Sequence, residues 1–85
     1  MYRVSFSPRG ARSIKALHKD IIGRILPKID ALASEPRPAG CKKLSGTTKD
    51  LWRIRIGNYR VIYRIEDEIR VVEVRDVGHR SSIYD

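Results

Sequence analysis

The sequence predicts an α+β domain: a short N-terminal strand, a two-helix hairpin, then a three-strand antiparallel meander. The helices should pack on one sheet face and basic residues should occupy the other. Three observations predict this. Apolar residues between positions 8 and 33 recur at helical spacing, with Ile21, Ile22, Ile25, Leu26, Ile29, Leu32 and Ala33 forming one broad stripe. Past residue 50 the period changes to two, in the runs LWRIRI, YRVIYRI and IRVVEVRDV. Turn and stop signals separate these blocks at Ser7-Pro8, Pro36–Gly40 and Gly57-Asn58. Eighty-five residues allow a single domain, 1–85, around one modest core.

Each element has its own reason. Tyr2 to Phe6 alternates around Val4 and reads as the first strand. Ser7 supplies a helix cap and Pro8 a preset first helical residue. The first helix turns Ala11, Ile14 and Leu17 to one side and Arg9, Arg12 and Lys15 elsewhere. A break follows near His18-Lys19, where Asp20 is placed to cap the second helix. Pro27 lies inside that helix and should bend it or remove a backbone bond, yet the stripe continues in phase on both sides. Glu35-Pro36-Arg37-Pro38-Ala39-Gly40 stops it. Residues 41–50, with Lys42, Lys43, Gly46 and Lys49, read as a polar connecting loop.

The hairpin that follows can be put in register. With Gly57-Asn58 as a two-residue turn, Ile56 faces Tyr59, Arg55 faces Arg60, Ile54 faces Val61, Arg53 faces Ile62 and Trp52 faces Tyr63. Opposed residues share a face. Trp52, Ile54, Ile56, Tyr59, Val61 and Tyr63 therefore point to the helices, and Arg53, Arg55, Arg60, Ile62 and Arg64 point away. A second turn at Asp67-Glu68 sets Val61 opposite Val74, Ile62 opposite Glu73 and Arg60 opposite Arg75, giving a row of Arg55, Arg60 and Arg75. A slip of one residue would send Arg75 to the core side.

The charge pattern points to a polyanion. The net charge is +8 with a pI near 10.2, and all seven basic residues after position 50 are arginine. Like charges placed opposite each other destabilise a sheet, and the planar guanidinium fork suits phosphate. A solvated sheet face is the plainer account, but such a face would mix in Thr, Ser, Glu and Lys. The single cysteine, Cys41, excludes an internal disulfide and a four-cysteine zinc site, and His18 and His79 add too few ligands for a metal. No apolar run approaches the roughly 20 residues of a membrane span. The N-terminus lacks the apolar core of a secretory signal. A cytoplasmic protein without metal or cofactor is expected.

The strings KKLSG, LWRIRIGNYRVIYRI and VVEVRDVGHRSSIY resemble the RelE family of bacterial toxins, within the RelE/ParE superfamily, over nearly the whole chain. The resemblance implies the toxin half of a type II toxin–antitoxin pair. It implies a metal-independent mRNA interferase that works in the A site of the 70S ribosome. A ribose 2′-oxygen would attack the adjacent phosphate, leaving a 2′,3′-cyclic phosphate and a 5′-hydroxyl. By the family pattern Arg53 and Arg55 match the two basic positions of the first hairpin strand, and Arg60 matches the arginine that braces the scissile phosphate. Arg80 and Tyr84 match the groups tied to the leaving oxygen and to orientation of the attacking nucleotide. Arginine does not give up its proton, so Tyr84 and His79 are the candidates for the base. Arg64, Lys42 and Lys43 are candidates for further RNA contacts. Arg75 matches no catalytic position, and a salt bridge to Glu73 is its expected role. The implied partner is an acidic, RelB-like antitoxin in a hetero-oligomeric complex that binds its own operator. Two rival readings remain: a non-catalytic gyrase poison of the ParE branch, and a basic nucleic-acid-binding module.

Overall fold

The computed structural model describes residues 1–44 and 50–81. Strand β1 (Arg3–Phe6) leads into helices α1 (Pro8–Lys15) and α2 (Lys19–Ala31). Strands β2 (Lys42–Lys43), β3 (Leu51–Ile56), β4 (Tyr59–Glu66) and β5 (Val71–His79) follow. They form one sheet in the order β1-β5-β4-β3-β2, with β1 parallel to β5 and every other neighbour antiparallel. A parallel pair needs a crossover, and the helical hairpin supplies it. The expected element order holds with one strand more. The connector contributes β2, with Lys42 opposite Arg53 and Lys43 opposite Trp52.

Local chemistry sets both helix starts. The Ser7 hydroxyl accepts the Gly10 N–H at 3.0 Å, and Pro8 takes the first helical position. At α2 the cap is His18, not Asp20: His18 Nδ1 accepts the Asp20 N–H at 3.2 Å. Asp20 lies in the first turn, where its charge complements the helix dipole. The helix runs through Pro27, whose ring removes the N–H that would bond the Gly23 carbonyl. Both residues are exposed, so water can satisfy that carbonyl. Ile25, Ile29 and Leu32 are buried, but Leu26 is 37% exposed and falls outside the buried stripe. One residue is about 100° of helical rotation, enough to turn Leu26 away from the line of Ile25 and Ile29.

The core forms where α1 and α2 meet one sheet face. Ile14, Ile25, Ile29 and Leu32 pack with Ile54, Val61, Tyr63, Ile65, Val72, Val74 and Val77. Every β3–β4 pair from Trp52/Tyr63 to Ile56/Tyr59 is in the expected register. The β4–β5 register is not. The turn spans residues 67–70, with Arg70 in the left-handed region at φ 53°. Pairing begins at Glu66/Val71 and reaches Tyr63/Val74. A bulge then shifts it, so that Ile62 faces Asp76, Val61 faces Val77, Arg60 faces Gly78 and Tyr59 faces His79. The expected row of Arg55, Arg60 and Arg75 is therefore overturned. The cause lies in the spacing of valines: 72 and 74 are two apart, but 74 and 77 are three apart. Only an extra residue lets both Val74 and Val77 face the core.

Helix α1 clamps this bulge. The Val77 N–H reaches the Ser13 hydroxyl at 3.0 Å and Asp76 Oδ1 at 2.9 Å. Ser13 in turn donates to the Gly10 carbonyl at 3.0 Å, and the Ser7 N–H donates to the Val74 carbonyl at 3.0 Å. Gly10 makes the approach possible, since a Cβ there would stand 2.2 Å from the Val74 carbonyl oxygen.

A second clasp closes the opposite end of the sheet. Asp67 accepts from the Tyr2 hydroxyl at 2.6 Å and from the Arg37 guanidinium at 2.9 and 3.3 Å. Arg37 also lies 5.0 Å from the centre of the Trp52 ring. The Arg37 hydrogen bonds first, then that of Tyr2, hold the Asp67 carboxyl below its ordinary range. The Tyr63 hydroxyl donates to the Pro36 carbonyl at 2.7 Å. Among the described residues no helix is long and apolar enough to cross a membrane.

Candidate functional site

Strand alternation brings Arg55 and Arg60 directly opposite each other on the sheet face away from the helices. The next position across, on β5, is Gly78. It contributes no side chain beside Arg60. This is a consequence of the bulge, since without it Arg60 would face Val77. The Arg80 N–H donates to the Asn58 carbonyl at 2.8 Å. That bond ties the segment after β5 to the β3–β4 turn, so the exposed Arg80 stands at the same end of the sheet.

Arg53 shares this face, opposite Ile62 and beside Lys42, but it is only 4% exposed. The face is therefore not uniformly solvated as a bare basic surface would be. A guanidinium keeps its charge when buried, and low dielectric extends the reach of its field. Arg53 can thus bias the site electrostatically while Arg55 and Arg80 are the exposed arginines.

Acidic residues divide the remaining cations into two groups. Toward the β4–β5 turn, Arg64 pairs with Glu66 and Arg75 with Glu73 at 3.1 Å, the latter as expected. Arg9 reaches Asp76 at 3.1 Å, and Lys43 reaches Asp50 at 3.3 Å. At the β3–β4 end, Arg55 and Arg80 have no ion-pair partner among the described residues. Of the expected further RNA contacts, Arg64 and Lys43 are thus engaged by carboxylates. Arg64 also lies four residues along β4 from Arg60, about 13 Å at strand rise. Lys42 is exposed and follows the same face as Arg53.

The expected base His79 is not brought to this face. It pairs with Tyr59, and the two rings meet edge to face at 5.4 Å and 85°. Opposed residues share a face, so His79 lies on the helix side while Arg60 and Gly78 lie on the other. Its Nδ1 accepts the Ser81 N–H at 3.2 Å and sits 2.8 Å from the Ser81 hydroxyl. A backbone donor makes Nδ1 the acceptor of the neutral ring and leaves the proton on Nε2. Adjacency to Arg80 in sequence suggested a shared site, but strand alternation sets His79 on the face opposite Gly78 and Arg60. Tyr84 lies outside the described residues.

The cluster thus offers forked cationic donors beside a strand position that carries no side chain, a combination suited to a phosphodiester. Among the described residues there is no group of three or more His, Cys, Asp or Glu side chains able to hold a metal. Sequence reasoning missed Gly78 and Ser13. The three-residue gap between Val74 and Val77 was the signal for both, because it marks the bulge.

Comparison with known proteins identifies the family. The family model described as the ParE toxin of the type II toxin–antitoxin system parDE matches residues 4–84. Toxin RelG of Mycobacterium tuberculosis is 32% identical over 84 residues, which cover 98% of this chain and 95% of that protein. The crystal structure of the archaeal RelE–RelB complex from Pyrococcus horikoshii contains a chain similar at a TM-score of 0.79 and 32% identity, over 96% of this chain and 98% of that one. The toxin–antitoxin complex RelBE2 of Mycobacterium tuberculosis gives 0.82 and 30%, over 93% and 98%.

Proposed function

Because the chain belongs to the ParE toxin family of type II toxin–antitoxin systems, within the RelE/ParE superfamily, we propose that it arrests translation as a RelE-type endoribonuclease, cutting mRNA in the ribosomal A site. The observation that carries this reading is the Arg55–Arg60 pair, with Gly78 opposite Arg60 and Arg80 tied to the same hairpin turn. In the proposed reaction a ribose 2′-oxygen attacks the neighbouring phosphorus and the bond to the 5′-oxygen breaks. The 2′-hydroxyl loses its proton and the 5′-oxygen gains one, leaving a 2′,3′-cyclic phosphate and a 5′-hydroxyl. Arg60 and Arg55 hold the phosphate oxygens as negative charge develops, Arg80 stabilises the leaving oxygen, and Arg53 adds to the field from below. Tyr84 is the protein group left for proton transfer.

Neutralisation falls to an acidic antitoxin. The relatives solved as RelE–RelB complexes support a partner of that kind. In vitro translation followed by primer extension tests the enzyme reading. Cuts within codons, appearing only on translated mRNA and lost in Arg60→Ala, Arg80→Ala and Tyr84→Phe, are expected. Intact mRNA with trapped gyrase–DNA complexes would replace this reading with the ParE-type one. Full growth arrest by an Arg60→Ala/Arg80→Ala double variant would remove the catalytic assignment.

A further inference from the structure

Beyond Val74 the outer side of β5 meets α1, because β1 ends at Phe6, opposite Val74. Up to that point alternate residues of β5 turn outward. The Arg70 carbonyl accepts the Arg3 N–H at 2.8 Å, and the Val74 carbonyl accepts that of Ser7 at 3.0 Å. A regular strand would present Asp76 next. The bulge changes the parity, so the outward N–H is that of Val77, a buried residue. Two side chains take it. Ser13 Oγ accepts it at 3.0 Å while donating its own proton to the Gly10 carbonyl. Asp76 Oδ1 accepts it at 2.9 Å, and Asp76 Oδ2 meets Arg9 at 3.1 Å. The Ser7 hydroxyl adds a longer bond, 3.5 Å, to the carbonyl of Arg75, the extra residue of the bulge.

These bonds belong to one register only. Were the bulge displaced past Arg60, Val77 would stand opposite Arg60 and Gly78 opposite Tyr59. Arg80 would then move by one residue, about 3.4 Å, and lose its bond to the Asn58 carbonyl. The Val77 N–H would turn inward to β4, out of reach of Ser13. Ser13 therefore discriminates between the two arrangements. Asp76 adds to this discrimination. By register it lies on the arginine face, opposite Ile62, yet its two oxygens are engaged by the Val77 amide and by Arg9. We propose that Ser13 and Asp76 are positioning residues for the arginine site. By holding the Val77 amide they keep the bulge where Gly78 faces Arg60 and Arg80 stands at the β3–β4 turn. Two acceptors share one donor, so either alone retains part of the hold. Removing both strips a buried amide of its side-chain acceptors, which costs more than the bonds themselves. Their bearing on RNA cleavage rests on the ribonuclease reading, whereas their bearing on anion binding does not.

Inorganic phosphate is the probe, titrated against the amide chemical shifts of Arg60, Gly78 and Arg80. Saturable shifts at all three are expected in the unaltered protein. In Ser13→Ala/Asp76→Ala they should need about tenfold more phosphate, since misplacing a binding group by about 1 Å can cost up to about 100-fold. Hydrogen exchange at the Val77 amide should quicken by about tenfold or more in the same variant. Ser13→Thr/Asp76→Asn keeps both oxygen acceptors and should restore both readouts. Arg9→Gln removes only an exposed ion pair and should change neither. Should the double variant fail to fold, Ser13→Ala alone, with Asp76 still accepting, should show smaller changes in the same direction. Unchanged phosphate binding in a folded double variant would overturn the proposal, even if its urea midpoint fell. So would the absence of phosphate shifts in the unaltered protein, or equal weakening by the Thr/Asn pair or by Arg9→Gln. If the unaltered protein cut no RNA, yet its phosphate response were intact and lost in the double variant, the ribonuclease reading would fall and this one would stand.

Discussion

Replacing Gly10 with alanine tests the junction between α1 and β5, on which the bulge and the placement of Gly78 depend. The new Cβ would stand 2.2 Å from the Val74 carbonyl oxygen, 3.0 Å from its carbon and 3.3 Å from the Ser7 hydroxyl. Helix α1 must therefore retreat by about 1 Å, and overpacking of this kind costs about 1–3 kcal/mol. Retreat also stretches the Ser7–Val74 and Ser13–Val77 hydrogen bonds, each contributing about 1 kcal/mol. The better helix propensity of alanine offsets about 1 kcal/mol. The net loss is about 2–4 kcal/mol, a large part of the roughly 4–13 kcal/mol available to a chain of this length. Urea unfolding followed by circular dichroism measures it, with the midpoint falling at unchanged slope. Gly23→Ala is the matched control, because a Cβ there meets nothing within 4 Å. It should stabilise by about 0.4–1 kcal/mol. If Gly10→Ala proved as benign as Gly23→Ala, α1 would not be seated on β5 as described.

Two further substitutions probe the site and its support. Gly78→Val places a β-branched residue in a strand and should change stability by no more than about 1 kcal/mol. It should also reduce binding of a short oligoribonucleotide at least tenfold; undiminished binding would show that the strand position beside Arg60 is not used. Burial, followed by the proximity of Cys41, pushes the Tyr63 phenol well above its ordinary value of 10.0. The folded state therefore keeps a proton that the unfolded chain loses, so stability is complete below pH 10 and falls as pH rises beyond it. Tyr63→Phe should remove most of that alkaline slope and cost about 1–2 kcal/mol at neutral pH, because the Pro36 carbonyl loses its donor. An unchanged slope between pH 9 and 12, read from urea midpoints, would contradict the assignment.

The first hairpin was legible because Gly57-Asn58 fixes a register that every flanking residue supports. Alternation of Trp52, Ile54 and Ile56 against Arg53 and Arg55 leaves only one face for the core. The second hairpin was misread because Asp67-Glu68 is a plausible two-residue turn, and nothing local shows that Ile69 and Arg70 also belong to it. The information was present farther along, in the extra residue between Val74 and Val77. That residue has meaning only once α1 is known to supply Ser13 to the freed Val77 N–H. β2 escaped notice for a related reason. Two lysines carry no strand signal, and their pairing with Trp52 and Arg53 follows from the path of the chain after Gly40. His79 was drawn toward the site by its neighbour Arg80, although successive residues of a strand face opposite ways and it is Gly78 that faces Arg60.

The opposition of Arg55 and Arg60 has a thermodynamic signature that separates function from packing. Elsewhere each close pairing of arginine and carboxylate, such as Arg75 with Glu73 or Arg37 with Asp67, is compatible with a purely structural role. Arg55 has no such partner among the described residues and faces a like charge across the strand pair. Such a pair costs about 0.2–1 kcal/mol, partly screened at physiological salt, where the Debye length is about 8 Å. Arg55→Thr removes the repulsion and places a β-branched residue on an exposed strand position. It should therefore raise stability by about 0.2–1 kcal/mol while lowering the rate of RNA cleavage. Added inorganic phosphate should stabilise the unaltered protein more than the variant, because a ligand bound only by the folded state shifts the unfolding equilibrium. A variant destabilised by more than about 1 kcal/mol would mean that Arg55 is held by structural contacts. Its conjunction with Arg60 would then be a packing solution and not an anion site.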